Sequence, residues 1–122
     1  MAASDLVEGR DAPSAAHPEV PTAVQVAAAA RSFALLADPT RVKLLWAMRD
    51  QGTDVTTLAA TAGCSPTVAS QHLSKLRFAG LVEGERAGRR VVYRIRGGHV
   101  RRLLEEALFQ ADHQVTGDPV HD

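Results

Sequence analysis

Cysteine is almost missing from this chain. Among its 122 residues only Cys64 carries a thiol, so no intrachain disulfide can form and the stapled fold of a small secreted protein is excluded. Aromatic residues are only 4% of the total, which argues against a stacking platform for single-stranded nucleic acid. No apolar stretch approaches the roughly 18 residues of a membrane span, and the N-terminus has no apolar signal-peptide core. The expectation is a cytoplasmic protein that does not enter a membrane. Net charge is missing too: 14 basic residues face 14 acidic ones, and a formal charge of zero taken alone argues against a nucleic-acid partner. The length suits one domain and leaves a core too small for a deep, walled substrate pocket, so an enzyme is not expected.

What is present is segregated. Residues 1–30 hold four acids against Arg10, a net −3, and residues 31–74 carry a net +1. Residues 75–102 hold nine bases against Glu83 and Glu85, a net +7, and residues 103–122 hold five acids and no base. The local field around 75–102 is therefore strongly positive although the sum vanishes.

Hydrophobic residues make up 45% of the chain, enough to fold most of it. Residues 1–19, rich in Ala, Ser, Pro and acid, read as a disordered N-terminal arm, and 115–122 as a flexible tail. Between them, helical periodicity starts at Val20 and breaks at Asp38-Pro39, a pair that can also cap and open a second helix, ending near Asp50-Gln51-Gly52. Asp54 caps a third helix, Val55 to Ala62, stopped by Gly63; Ser65-Pro66 opens a fourth that runs to Ala79. Two β-like runs follow, Leu81–Glu85 and Arg90–Arg96, the second alternating Val91, Tyr93 and Ile95 with Val92, Arg94 and Arg96 as a half-exposed hairpin strand. A last amphipathic helix covers about His99 to Gln114. The expected fold class is mainly α with a β-hairpin: a winged helix-turn-helix over residues 20–114.

On the fourth helix, Ala69, His72, Leu73 and Leu76 share one side, and Thr67, Ser70, Gln71 and Ser74 the other. Short hydrogen-bonding side chains of this kind can approach base edges in a major groove, and Gln71 suits bidentate pairing with adenine. An ordinary solvated face would show the same residues. His72 falls toward the apolar side and reads as a packed histidine. Lys75 and Arg77 extend the basic end of this helix. Arg86, Arg89 and Arg90 flank Gly88 at a tight turn, where three cations repel one another unless a polyanion lies beside them; a solvated charged loop is the alternative.

The runs Leu36-Ala37-Asp38-Pro39-Thr40-Arg41, Ser70-Gln71-His72-Leu73-Ser74-Lys75-Leu76, Gly80-Leu81-Val82 and Arg86-Ala87-Gly88-Arg89-Arg90-Val91-Val92-Tyr93 together resemble the ArsR/SmtB family of bacterial repressors. The resemblance covers about residues 22–114. It implies a homodimer on double-stranded operator DNA that lets go when an effector, commonly a metal ion, binds. It also implies dimerisation through the first and last helices, which here carry Val24, Ala28, Phe33 and Leu35, and Leu103, Leu104, Leu108 and Ala111.

His99 and His113 are 14 residues apart, on one face of the last helix but separated by about 21 Å, too far to share an ion within one chain. In an antiparallel two-fold pairing with its axis near Glu106, His99 of each chain meets His113 of the other, giving two equivalent sites. Asp112 could add an oxygen, and His121 could fold back from the tail. Imidazole with carboxylate and no thiolate suits Ni(II), Co(II) or Zn(II) rather than Cu(I). The zinc pattern common in the family is broken, since Gly97 and Gln110 stand where an acid and a histidine are required. The cadmium and lead thiolate site is absent because residues 53–62 hold no cysteine. His99-Val100-Arg101 and Ala107-Leu108-Phe109-Gln110-Ala111-Asp112-His113 instead resemble the actinobacterial nickel/cobalt sensors of the KmtR and NmtR type. That resemblance implies His99, Asp112, His113 and His121 as ligands. His17 is a further candidate in the arm. The alternative effectors are zinc, a thiol-reactive signal at Cys64, or a non-metal ligand.

Overall fold

Every helix of the helix-turn-helix begins where a side-chain oxygen can accept an N–H that the helix itself leaves unpaired. In the computed structural model, which describes residues 19–117, Asp38 accepts from the Arg41 N–H and opens α2 (Pro39–Ala47). Asp54 accepts from Thr57 and opens α3 (Val55–Ala62), and Ser65 accepts from Val68 and opens α4 (Pro66–Phe78). Gly63 closes α3 at φ 73°, a left-handed conformation that only glycine adopts without strain. The remaining elements are α1 (Ala23–Leu36), β1 (Thr53–Asp54), β2 (Val82–Ala87), β3 (Arg90–Ile95) and α5 (His99–Thr116).

The chain divides into two units, one ending at Ala34 and one starting at Leu35. The first contains nearly all of α1. That helix starts at Ala23 rather than Val20 because Thr22 and Gln25 form a reciprocal box, each side chain accepting the other's backbone N–H at 3.1 and 2.8 Å. None of its residues is buried, and Val24, Val26 and Phe33 are exposed.

The second unit is built around Leu44, Leu45, Met48, Leu58, Leu73 and Leu76, with Val82, Tyr93 and Leu104 closing the core from the sheet and α5. Here α2 stops at Ala47, short of the expected Asp50. Its last turn tightens into bonds from Met48 to Leu45 and Arg49 to Trp46, and the Arg49 guanidinium donates to the Trp46 carbonyl while lying 3.8 Å over the indole ring. The hairpin is also longer than expected. Gly88, at φ 67°, allows a two-residue turn of Gly88 and Arg89, so pairing continues to Ala87 opposite Arg90. Arg86 therefore sits within β2 opposite Val91, not in the turn.

The strand β1 is not apparent from the sequence. It pairs antiparallel with β3, Thr53 opposite Tyr93 and Asp54 opposite Val92, giving the order β1-β3-β2. This places β3 in the middle of a three-stranded sheet, and the strand is half-exposed as expected, with Tyr93 buried and Arg90 and Arg94 exposed. It also covers Val92: a Cβ on Gly52 would stand 2.5 Å from the Val92 Cγ1, so that close approach requires glycine. The final helix runs two residues beyond Gln114, to Thr116, with Gly117 as a left-handed cap donating to the His113 carbonyl. Most of the expected arm, and the tail from 118 onward, lie outside the described residues. No helix among the described residues is long and apolar enough to cross a membrane.

Two capping carboxylates link the fold to pH. The Asp54 carboxyl is held below the ordinary aspartate value of 3.8, chiefly by the Thr57 N–H and secondarily by the Thr57 hydroxyl and the Arg90 charge. Asp38 is lowered likewise, chiefly by the Arg41 N–H. Because the folded-state values are depressed, this stabilisation is complete above the ordinary value and drains away as pH falls through the lowered one. Asp54→Asn keeps a capping oxygen but no charge. Its unfolding midpoint is expected to fall less steeply than that of the parent as pH drops below the ordinary aspartate value of 3.8, where the parent's carboxylate protonates. Parallel urea titrations across that range check it.

Candidate nucleic-acid interface and metal centre

Packing decides which side of α4 is free. Ala69, Leu73 and Leu76 are fully buried, whereas Thr67, Ser70, Gln71, Ser74, Lys75 and Arg77 are all exposed. None of these six side chains makes a hydrogen bond or ion pair among the described residues, so none of those residues satisfies their donors and acceptors. The helix is thus anchored on one side and chemically unsatisfied on the other.

Its orientation is held by a polar cluster at the edge of the core. The Arg41 Nε donates to His72 Nδ1 at 3.0 Å, and a second guanidinium nitrogen donates to the Leu35 carbonyl. Since Nδ1 accepts, the proton of the neutral ring is on Nε2, which lies 3.9 Å from the Asp38 carboxylate. His72 is a half-buried strut between α4 and the start of α2, as its position toward the apolar side suggested. The role of Arg41 is not legible locally, because its partner lies 31 residues away.

The wing carries its cations unevenly. Arg86 and Arg89 are exposed and unpaired among the described residues. Arg90 is exposed as well, but it donates to Asp54 at 2.8 Å. One carboxylate of Asp54 therefore caps α3 and holds the turn end of the wing. Arg94 of the same strand lies 3.6 Å from Glu85.

On α5 only Leu104 is buried, and Leu103, Phe109 and Val115 remain exposed. At 100° per residue, His113, Glu106, His99, Gln110 and Leu103 fall within an arc of about 80°. The His99 Nδ1 lies 3.0 Å from an Arg102 guanidinium nitrogen, and the His113 ring packs 4.6 Å from that of Phe109. Arg101 bridges Glu105 to Asp50 in the α2–β1 connection. No group of three metal-ligating side chains forms within one chain among the described residues. Asp112 is exposed and adjoins His113 in the last turns of the helix, while His17 and His121 lie outside the described residues. Cys64 is half-buried against the core and donates its backbone N–H to the Ala59 carbonyl in the turn between α3 and α4.

These features match known proteins. A helix-turn-helix domain model fits residues 36–85. The transcriptional regulator KmtR of Mycobacterium tuberculosis is 42% identical over 97 residues, which span 80% of this chain and 75% of KmtR. NmtR of the same organism is 41% identical over 108 residues, 88% of this chain and 86% of NmtR. Among solved structures, the homodimeric winged helix-turn-helix DNA-binding domain of a possible ArsR-family regulator from Mycobacterium bovis superposes with a TM-score of 0.71 at 32% identity, covering 82% of this chain and 93% of that one. With two unsatisfied basic surfaces on this scaffold and relatives of this identity, the chain is a DNA-binding transcription regulator rather than an enzyme, and it belongs to the ArsR/SmtB family.

Proposed function

We propose that the chain works as a homodimeric repressor that releases its operator when Ni(II) or Co(II) binds to α5. The observation that carries this reading is the shared edge of that helix: His99 and His113 lie on one stripe of a face that buries almost nothing within its own chain. Two imidazoles and the Asp112 carboxylate form a donor set suited to nickel or cobalt, and equally able to take zinc. With no group of three in a single chain among the described residues, the set is completed by a second chain, by His121, or by both. The arrangement expected is His99 of one protomer with His113 of its partner.

The chain's own residues indicate how such a site would be felt. His99 accepts from Arg102, and ligation at either ring nitrogen ends that bond, because Nδ1 then either holds the ion or carries the proton. Two residues along, Arg101 ties the same turn to Asp50 at the end of the α2 connection. Both contacts are exposed and contribute little stability, so they can be rearranged cheaply. The DNA side uses Thr67, Ser70, Gln71 and Ser74 toward base edges, and Lys75, Arg77, Arg86, Arg89 and Arg90 toward phosphates.

The deciding experiment titrates nickel, cobalt and zinc into the preformed operator complex of the parent and of His99→Ala. The cognate ion is expected to weaken the parent's binding by roughly 5- to 150-fold, and DNA must weaken metal binding by the same factor. His99→Ala is expected to hold DNA equally tightly with and without metal. A parent complex indifferent to all three saturating ions would sink the metal reading. Loss of response in Cys64→Ser, with the His99 variant unaffected, would favour a thiol signal.

A further inference from the structure

Phe78 closes α4 and is 96% exposed, the most exposed of the large apolar side chains among the described residues. An isolated exposed apolar residue is ordinary in itself. Its angular position is informative. At 100° per residue, Phe78 falls with Thr67, Gln71 and Ser74 in an arc of about 60°, opposite the buried Ala69, Leu73 and Leu76. It continues the unsatisfied polar stripe, one turn beyond Ser74.

Charge narrows the class of partner. No Asp or Glu occurs between Asp54 and Glu83, and Lys75 and Arg77 flank the ring with no ion-pair partner among the described residues. A phenyl ring framed by uncompensated cations, in line with hydrogen-bonding side chains, matches a surface that is a polyanion with apolar spots. In a DNA major groove the apolar feature on a base edge is the thymine 5-methyl group. The rise from Thr67 to Phe78 is about 16 Å, or about five base-pair steps of 3.4 Å, so one helix laid along the groove reaches from one end of a short half-site to the other.

We propose that Phe78 is a specificity-determining residue, its ring packing on a thymine methyl at the end of each half-site farthest from the start of α4. The proposal rests on α4 being the groove-reading helix and adds a base-selective apolar contact to its polar ones. Gln71 and its neighbours would set the inner positions, and Phe78 the outer one.

The test is selection from a random-sequence duplex library with the parent and with Phe78→Ser. The ring touches nothing that holds the fold, so the variant is expected to keep the parent's melting midpoint and sedimentation behaviour. The parent is expected to enrich thymine at one outer position of each half-site, and Phe78→Ser to lose that preference while keeping the inner ones. Replacing that thymine by deoxyuridine in the selected duplex removes only the methyl. This should weaken the parent by roughly fourfold per half-site and leave Phe78→Ser unchanged. Identical preferences in the two proteins would overturn the proposal. So would equal weakening on every duplex, which marks a backbone contact, or altered self-association with unchanged DNA binding, which marks a protein-docking residue. If the parent enriches no sequence at all, the groove-reading assignment of α4 itself fails, an outcome distinct from a failure of Phe78 alone.

Discussion

Leu73→Ala is expected to destabilise the folded chain by roughly 2–5 kcal/mol, because the side chain is wholly buried at the centre of the face that α4 turns to the core. Truncation loses the transfer energy of the removed carbons and leaves a cavity between helices that are themselves short. Domains of this size are stable by only about 5–15 kcal/mol, so the loss is a large share of the whole. It should appear as a lowered denaturation midpoint with an unchanged slope. Operator binding should fall with it, since α4 loses the packing that orients it. Ser74→Ala, one residue along, provides the contrast: its side chain is exposed, and a stability change within about 0.5 kcal/mol is expected together with weaker operator binding. If Leu73→Ala shifted stability by no more than Ser74→Ala, the helix would not be anchored as described.

The second large effect concerns salt. Arg86 and Arg89 are exposed cations without partners among the described residues, and in a dimer their joint replacement by Ala removes four of them. Each phosphate neutralised contributes about 0.9 to the slope of log affinity against log salt. The double variant should therefore lose roughly three to four from that slope, and roughly three orders of magnitude in affinity at about 0.1 M salt. Arg90→Ala should change the slope by less than either single variant, because Arg90 already faces Asp54 at 2.8 Å. Binding measured by fluorescence anisotropy across a salt series separates these cases. Equal slopes for the parent and the double variant would show that the wing does not touch the phosphates.

Features set by neighbouring residues were legible in the sequence. Asp38-Pro39 and Ser65-Pro66 open helices where expected, and Asp54 and Gly63 bound α3 at the expected residues, since a cap is decided within three or four positions. The division of α4 into buried and exposed sides follows from its period. What is not legible locally depends on residues far apart in the chain. The two-residue strand β1 has no periodicity of its own and exists only because β3 offers it a ladder. The Arg90–Asp54 pair spans 36 residues, so the turn cations look equivalent until the hairpin is folded against α3. Gly52 reads as a helix stop, yet its lack of a side chain serves Val92. For the proposed metal ligands, the spacing of His99 and His113 excludes a site on one helix, and a site as proposed would have to be completed by a second chain or by residues outside those described.

The small strand β1 has a mechanical consequence. It lies immediately before α3 and hydrogen-bonds to the central strand of the wing, while Asp54 grips both the helix start and Arg90. The first helix of the helix-turn-helix and the wing are thereby riveted into one jaw, and in the proposed dimer two such jaws would behave like a pair of callipers. On the proposed mechanism, a signal arriving at α5 would not need to reshape either jaw. It has only to alter the gap between them, and a duplex, whose grooves recur at a fixed pitch, cannot follow.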